Sequence, residues 1–91
     1  MMKSLKLTVE GLVQGVGYRW FVENAAREMD ITGTVKNLMN GNVQVVAQGK
    51  PDNLAEFVSI LREGPSFAHV TAIETTELEN AAIHRDFRII F

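Results

Sequence analysis

Cysteine is absent from the chain, so it can form no disulfide, thiolate nucleophile or Cys-ligated zinc or iron–sulfur centre. A small domain without such staples must be held by its apolar core. Neither sign of charge dominates: nine Lys and Arg stand against eleven Asp and Glu, a formal net charge of −2. That mild acidity argues against a general nucleic-acid binder, whose affinity rests on a basic surface. No apolar run approaches the roughly 18 residues that span a bilayer. The opening Met1-Met2-Lys3-Ser4-Leu5-Lys6 lacks the apolar stretch of a signal peptide. Neither nucleic acid nor membrane is therefore expected as a partner, and a cytoplasmic location is the default. What remains is 91 residues, 46% hydrophobic and 22% charged, the balance of a single globular domain over 1–91.

Hydrophobic periods divide the chain. Leu5, Leu7 and Val9 alternate with Lys6, Thr8 and Glu10, which predicts a strand over about 5–13. From Tyr18 the period lengthens, and Tyr18, Phe21, Val22, Ala25, Ala26 and Met29 share one helix face that ends near Asp30. Glu23 and Arg27 are spaced for an ion pair on that helix. Thr34–Leu38 reads as a second strand. Asn40-Gly41 predicts a type I′ hairpin turn, with positive φ at both central residues. Val43, Val45 and Ala47 mark a third strand, and Leu54, Phe57, Val58 and Leu61 a helix over about 52–63 that Gly64-Pro65 stops. A fourth strand begins near His69, with Val70 and Ala72 on one face and Thr71 and Ile73 on the other. Its polar stretch Glu74–Glu79 suits an edge. Phe87–Phe91 is a short terminal strand of unassigned pairing. The order β-α-β-β-α-β predicts an α+β, ferredoxin-like sandwich, two helices on one face of a mostly antiparallel sheet.

The most informative stretch is Gly11-Leu12-Val13-Gln14-Gly15-Val16-Gly17-Tyr18-Arg19, which joins strand to helix through a glycine-rich loop. Free N–H groups there can point inward together at the positive end of the helix, a geometry suited to a phosphoryl group. Arg19 stands where the helix dipole disfavours a cation, which points to a ligand that a guanidinium can grip through two oxygens. The plainer alternative is a tight turn with Arg19 on a solvated surface. A dinucleotide loop fails because Trp20 stands in place of the third glycine, and a Walker loop fails for want of Gly-Lys-Ser/Thr. Asn37 is a poor strand former inside a strand, and its amide can hold a water in a fixed direction. The alternative is an edge asparagine bonded to local backbone. His69 and His84 show no metal-ligand pattern, and Glu74, Glu77 and Glu79 suit a solvated face, so no metal site is expected.

Together the two motifs resemble the acylphosphatase family. Val13-Gln14-Gly15-Val16-Gly17-Tyr18-Arg19 is similar to its first signature, and Gly33 through Gly41, with Val43 and Gly49, to its second. Gly64-Pro65 and the aromatic C-terminus are similar to family members as well. The resemblance implies the sandwich already read and hydrolysis of a carboxyl–phosphate anhydride to a carboxylate and inorganic phosphate. It implies no metal, no cofactor and no phosphoenzyme. It makes Arg19 the phosphate-binding arginine and Asn37 the residue that orients the attacking water. Gln14, Gly15, Val16, Gly17 and Tyr18 complete the phosphate-binding loop. The expected partners are a small acyl phosphate and inorganic phosphate, and the expected state is a monomer. Thr34 departs from the aromatic residue common at its position, so packing beside Asn37 is expected to differ. Ile90 replaces a basic or polar residue. Two other functions stay open at this point: a non-catalytic anion-binding module on the same fold, and an RNA-recognition domain. The latter predicts aromatic residues on exposed strand faces, and the first and third strands have none.

Overall fold

The computed structural model describes residues 1–91 as β1 (Lys3–Leu12), α1 (Tyr18–Glu28), β2 (Thr32–Asn37), β3 (Val43–Gly49), α2 (Pro51–Glu63), β4 (His69–Leu78) and β5 (Phe87–Ile89). Alternation along the strands turns Leu7, Val9, Val35, Val43, Val45 and Ala47 to one face of the sheet. There they form one core with Tyr18, Val22 and Ala26 of α1 and Leu54, Phe57 and Leu61 of α2. The strand order is β4-β1-β3-β2-β5. All pairs are antiparallel except β2–β5, which is parallel. The ferredoxin-like sandwich expected from the sequence is the observed fold, and β4, with its exposed glutamates, lies at an edge. Glu23 and Arg27 form the expected ion pair at 3.4 Å.

The terminal strand joins the sheet beside β2. Gly33 pairs with Phe87 and Val35 with Ile89, and the Ile90 amide donates to the Val35 carbonyl at 2.9 Å. Phe87 enters the core and meets Phe57 edge-on at 6.3 Å between ring centroids.

Three expectations change. The β2–β3 connection is not a two-residue type I′ turn. Gly41 has φ 93°, but Asn40 is not among the residues of positive φ. The Gly41 amide donates to the Leu38 carbonyl at 3.2 Å, and the Leu38 amide to the Asn42 carbonyl at 2.8 Å. This is a three-residue hairpin loop closed by a left-handed glycine, which leaves Asn40 free to cap the Asn42 amide with its side chain at 3.0 Å. Second, strict alternation fails in β4. Glu10 pairs with Ala72 but Gly11 with Val70, so Thr71 is an extra residue and the register shifts. Val70 and Ile73 therefore both pack against the core, although their spacing assigns them to opposite faces. Gly11 makes the bulge possible: its φ is 128°, and a Cβ there would collide with the His69 carbonyl. Third, Thr34 lies on the sheet face opposite Val35 and Asn37 by strand alternation, so its side chain is not on the face that carries Asn37.

Tyr18 fastens the two helices at the end where α1 begins. Its ring is buried, and its hydroxyl donates to the Leu61 carbonyl at 2.8 Å, satisfying an acceptor in the last turn of α2. Burial pushes the Tyr18 phenol well above its ordinary range.

Two outcomes follow from these contacts. Gly11→Ala should cost more than about 3 kcal/mol in denaturant unfolding, through backbone strain and the collision with β4. Tyr18→Phe should cost about 1 kcal/mol near neutral pH through the lost hydrogen bond. The unfolded chain loses the Tyr18 proton above about pH 10 while the folded chain keeps it, so this group's contribution is full below that pH and falls as pH rises. The wild-type stability curve should then drop more steeply than that of Tyr18→Phe, by about 1.4 kcal/mol per pH unit. Parallel curves would show that the phenol is not held protonated by the fold.

Candidate active site

The loop between β1 and α1 breaks the usual rules for beginning a helix. Gly17, the N-cap residue, has left-handed backbone (φ 77°, ψ 16°), offers no side-chain cap, and is followed by no acid in the first turn. α2 begins instead with Pro51, which has no amide proton, and carries Asp52 in its first turn. The first backbone hydrogen bond of α1 runs from the Phe21 amide to the Gly17 carbonyl at 3.1 Å, and none of the amides from Gln14 through Trp20 donates to a backbone carbonyl. Gly15 is left-handed too, with φ 75°. Left-handed and ordinary backbone in alternation gathers N–H groups into a concavity suited to an anion. Uncapped donors, the positive end of the helix and the missing acid all favour negative charge here.

Arg19 adds a full positive charge at the same place. It is in no ion pair, and its guanidinium carbon lies 5.4 Å from the centre of the Phe91 ring. A cavity of about 240 Å³ opens beside it, lined by Val13, Gly15, Gly17, Tyr18, Arg19, Trp20, Ile89 and Phe91. Within the expected phosphate-binding set, Gly15, Gly17, Tyr18 and Arg19 line this cavity, whereas Gln14 and Val16 do not. Val16 packs against the core, and the Tyr18 side chain is turned into it, so the contribution of both to an anion is limited to their amides.

Gln14 is also a tie. Its side-chain amide donates to the carbonyls of Leu38 and Asn42, both at 2.8 Å. These acceptors flank the β2–β3 hairpin, so the glycine loop is stapled directly to the segment that follows Asn37. Asn37 closes β2, opposite Val43, which also pairs with Val9 of β1. β1 and β2 thus run in the same direction, and their C-terminal ends, with the loop and Asn37, lie at one end of the sheet. By alternation Asn37 shares the helix-covered face with Val35. The parallel register of β5 with β2 carries Phe91 to the same end.

Asn37 Oδ1 is buried and has no hydrogen-bond partner. Such an acceptor costs about 1–3 kcal/mol when unsatisfied, so Oδ1 is available to accept a hydrogen bond from a donor outside the protein. Asn37 is not part of the cavity wall; the structure ties it to the glycine loop only through the hairpin that Gln14 holds. His69, His84 and the β4 glutamates take no part, and no three His, Asp or Glu side chains converge anywhere in the chain. Sequence reasoning missed the Gln14 tie and the contact of Phe91 with Arg19. The first had no local signal, while the second was hinted at only by the aromatic C-terminus.

Comparison with known proteins bears on the fold and the family, over nearly the full chain. Residues 5–89 match the model of a family described as Acylphosphatase. An acylphosphatase of Leuconostoc mesenteroides is 42% identical over 78 residues, which span 85% of this chain and 87% of that one. The crystal structure of the acylphosphatase from Bacillus subtilis superimposes with a TM-score of 0.94 at 36% identity, covering all of both chains. The structure of full-length HypF in a phosphate- and nucleotide-bound form aligns with a TM-score of 0.89 at 26% identity, all of this chain matching 12% of that one.

Proposed function

Because the chain belongs to the acylphosphatase family, we propose that Arg19 and the loop amides hold the phosphoryl group of an acyl phosphate while Asn37 directs the attacking water. The reaction is hydrolysis of the carboxyl–phosphate bond to a carboxylate and inorganic phosphate. The observation that carries the assignment of roles is the buried, unpartnered Oδ1 of Asn37 at the end of the sheet where the uncapped loop opens.

An acyl phosphate has a good leaving group, since the departing carboxylate is a weak base. Catalysis then needs little proton donation, and it depends on position and on stabilising charge at the equatorial phosphoryl oxygens. Arg19 and the amides between Gln14 and Trp20 supply that field. Asn37 is no base, but Oδ1 accepts a hydrogen bond from water and sets its approach in line with the bridging oxygen. The water oxygen bonds to phosphorus, the bond from phosphorus to the bridging oxygen breaks, and the carboxylate leaves with the electron pair. One water proton passes to a phosphoryl oxygen, which gives dihydrogen phosphate and balances the charge.

With acetyl phosphate as substrate, Arg19→Ala should lower kcat/KM at least about 1,000-fold and weaken inhibition by inorganic phosphate, because it removes charge-assisted contacts. Asn37→Ala should lower kcat about 100-fold while phosphate inhibition stays within about twofold. Removal of an unsatisfied buried acceptor should also leave that variant as stable as wild type or up to about 1 kcal/mol more stable. Near-normal turnover by both variants would discard the assigned roles. Phosphate binding without turnover in the wild-type protein would make the chain an anion-binding module.

A further inference from the structure

The β2–β3 hairpin carries a chemistry that the proposed reaction does not use. Among the asparagines of the chain, only Asn40 is followed by glycine. The carboxamide carbon of an asparagine lies close to the main-chain nitrogen of the next residue, and a side chain on that residue shields the nitrogen. Gly41 has no such shield. A Cβ built there meets nothing within 4 Å, so the glycine stands clear of the rest of the fold. Asn40 is exposed at the tip of the same loop.

Two hydrogen bonds bear on a reaction between these groups. The Asn42 amide donates to Asn40 Oδ1 at 3.0 Å. This turns the carboxamide back along its own chain, and it sets a donor on the oxygen that gains negative charge when a nucleophile adds to Cγ. The opposing contact runs from the Gly41 amide to the Leu38 carbonyl at 3.2 Å and must open before the nitrogen can attack. It sits at the long end of N–H···O distances, in an exposed turn that opens without wider unfolding. The assisting contact outweighs the opposing one.

We propose that Asn40-Gly41 is a self-modification site, at which the folded protein deamidates to isoaspartate and thereby releases the Gln14 tie. Hydroxide removes the Gly41 amide proton, and the nitrogen bonds to Cγ of Asn40. The carbonyl electron pair moves onto Oδ1, beside the Asn42 amide. Its return breaks the bond from Cγ to the side-chain nitrogen, which leaves as ammonia with a proton from water and restores hydroxide. The five-membered imide is then opened by water. Addition at Cγ breaks the new bond and gives aspartate; addition at the main-chain carbonyl breaks the original peptide bond and gives isoaspartate.

The two products have the same mass and different effects. Isoaspartate leads the main chain through Cβ and Cγ, which adds an atom to the segment between Leu38 and Asn42. Gln14 holds the carbonyls of both residues at 2.8 Å, and the Leu38 amide donates to the Asn42 carbonyl at 2.8 Å. A lengthened segment does not keep the two carbonyls at that spacing, so the glycine loop loses its anchor. Aspartate keeps the chain length and offers the Asn42 amide a stronger acceptor. The effect on turnover rests on the hydrolytic reading, whereas the chemistry at Asn40 does not.

The test ages the wild-type protein, Asn40→Gln and Asn40→Asp without denaturant at mildly alkaline pH. Wild type should release ammonia in proportion to hydroxide and gain a carboxyl group at position 40 that accepts a methyl group from an isoaspartate-specific methyltransferase. Asn40→Gln should react at least about tenfold more slowly, because its longer side chain has to close a larger ring. The isoaspartate form, separated from the unmodified chain, should hydrolyse acetyl phosphate at least about tenfold more slowly than fresh protein. Asn40→Asp should stay within about twofold of wild type. The NMR signals of the Gln14 side-chain amide should shift in the isoaspartate form and hold in Asn40→Asp. Methyl acceptance absent from position 40, modification that requires unfolding in urea, or Gln14 signals unchanged by isoaspartate would overturn the proposal and leave the hydrolytic assignment standing. If fresh wild-type protein does not hydrolyse acetyl phosphate, the hydrolytic assignment falls, and methyl acceptance with the Gln14 signals still decides.

Discussion

The bidentate grip of one glutamine holds the site together. Gln14 leaves β1 at the point where the chain must turn into α1, and its amide reaches two carbonyls on the far side of a hairpin. Such a contact turns two flexible connections into one body. The glycine loop alone has too much conformational freedom to keep its N–H groups aimed at a fixed point, since glycine loses the most entropy on ordering. Tied to Leu38 and Asn42, the loop takes its position from the sheet, and Asn37 takes its position from the same hairpin. The amides and the buried Oδ1 share a rigid frame although more than twenty residues separate them. Preorganisation of this kind lets dipoles act on developing charge without reorganising during the reaction.

The two helices show what that arrangement sets aside. α2 follows the rules of helix stability: proline in the first turn, an acid at its positive end, Arg62 in its last turn and Gly64 at its close. Neither helix has a side-chain cap at its start, but α1 also lacks an acid there and puts Arg19 in its place. The proposed anion supplies what α1 lacks, a negative charge and acceptors for its free donors. Asn37 is comparable, since its buried Oδ1 has no partner within the protein and can accept from a donor that enters the site. The left-handed glycines, the missing acid, Arg19 and the open Asn37 acceptor gather at one end of the sheet, as expected when such departures serve a ligand.

That pattern also explains what was legible in the sequence. The alternation of Leu5, Leu7 and Val9, the helical spacing from Tyr18 and the breaks at glycine all report burial, which repeats along the chain and so leaves a periodic trace. Arg19 and Asn37 stood out because each conflicts with its local element. The bulge at Thr71 was illegible, since it arises from a partner strand: Gly11 can approach His69 closely, and no residue in β4 records that. The hairpin was misread because Asn40-Gly41 fits more than one turn, and the choice depends on Asn40 capping Asn42. Gln14 gave no sign of being a tie, because a glutamine's partners are set by tertiary distance and not by spacing.

β5 shows how a weak element gains a role through position. Three residues paired in parallel at a sheet edge have little stability of their own. The strand is held from outside. Phe87 is buried against Phe57, and the Arg27 guanidinium donates to the Phe87 carbonyl at 3.4 Å. Upstream, the buried side chain of Gln48 donates to the Ala82 carbonyl and accepts from the His84 amide at 2.9 Å, which fixes the connection from β4. The last residues then run past Val35 toward Asn37 and end with the Phe91 ring against Arg19. A guanidinium with no carboxylate partner is free to take many rotamers, at an entropy cost when it binds an anion. The ring limits that freedom without competing for the charge-assisted hydrogen bonds that a phosphoryl group would accept, which an ion pair with a carboxylate could not do.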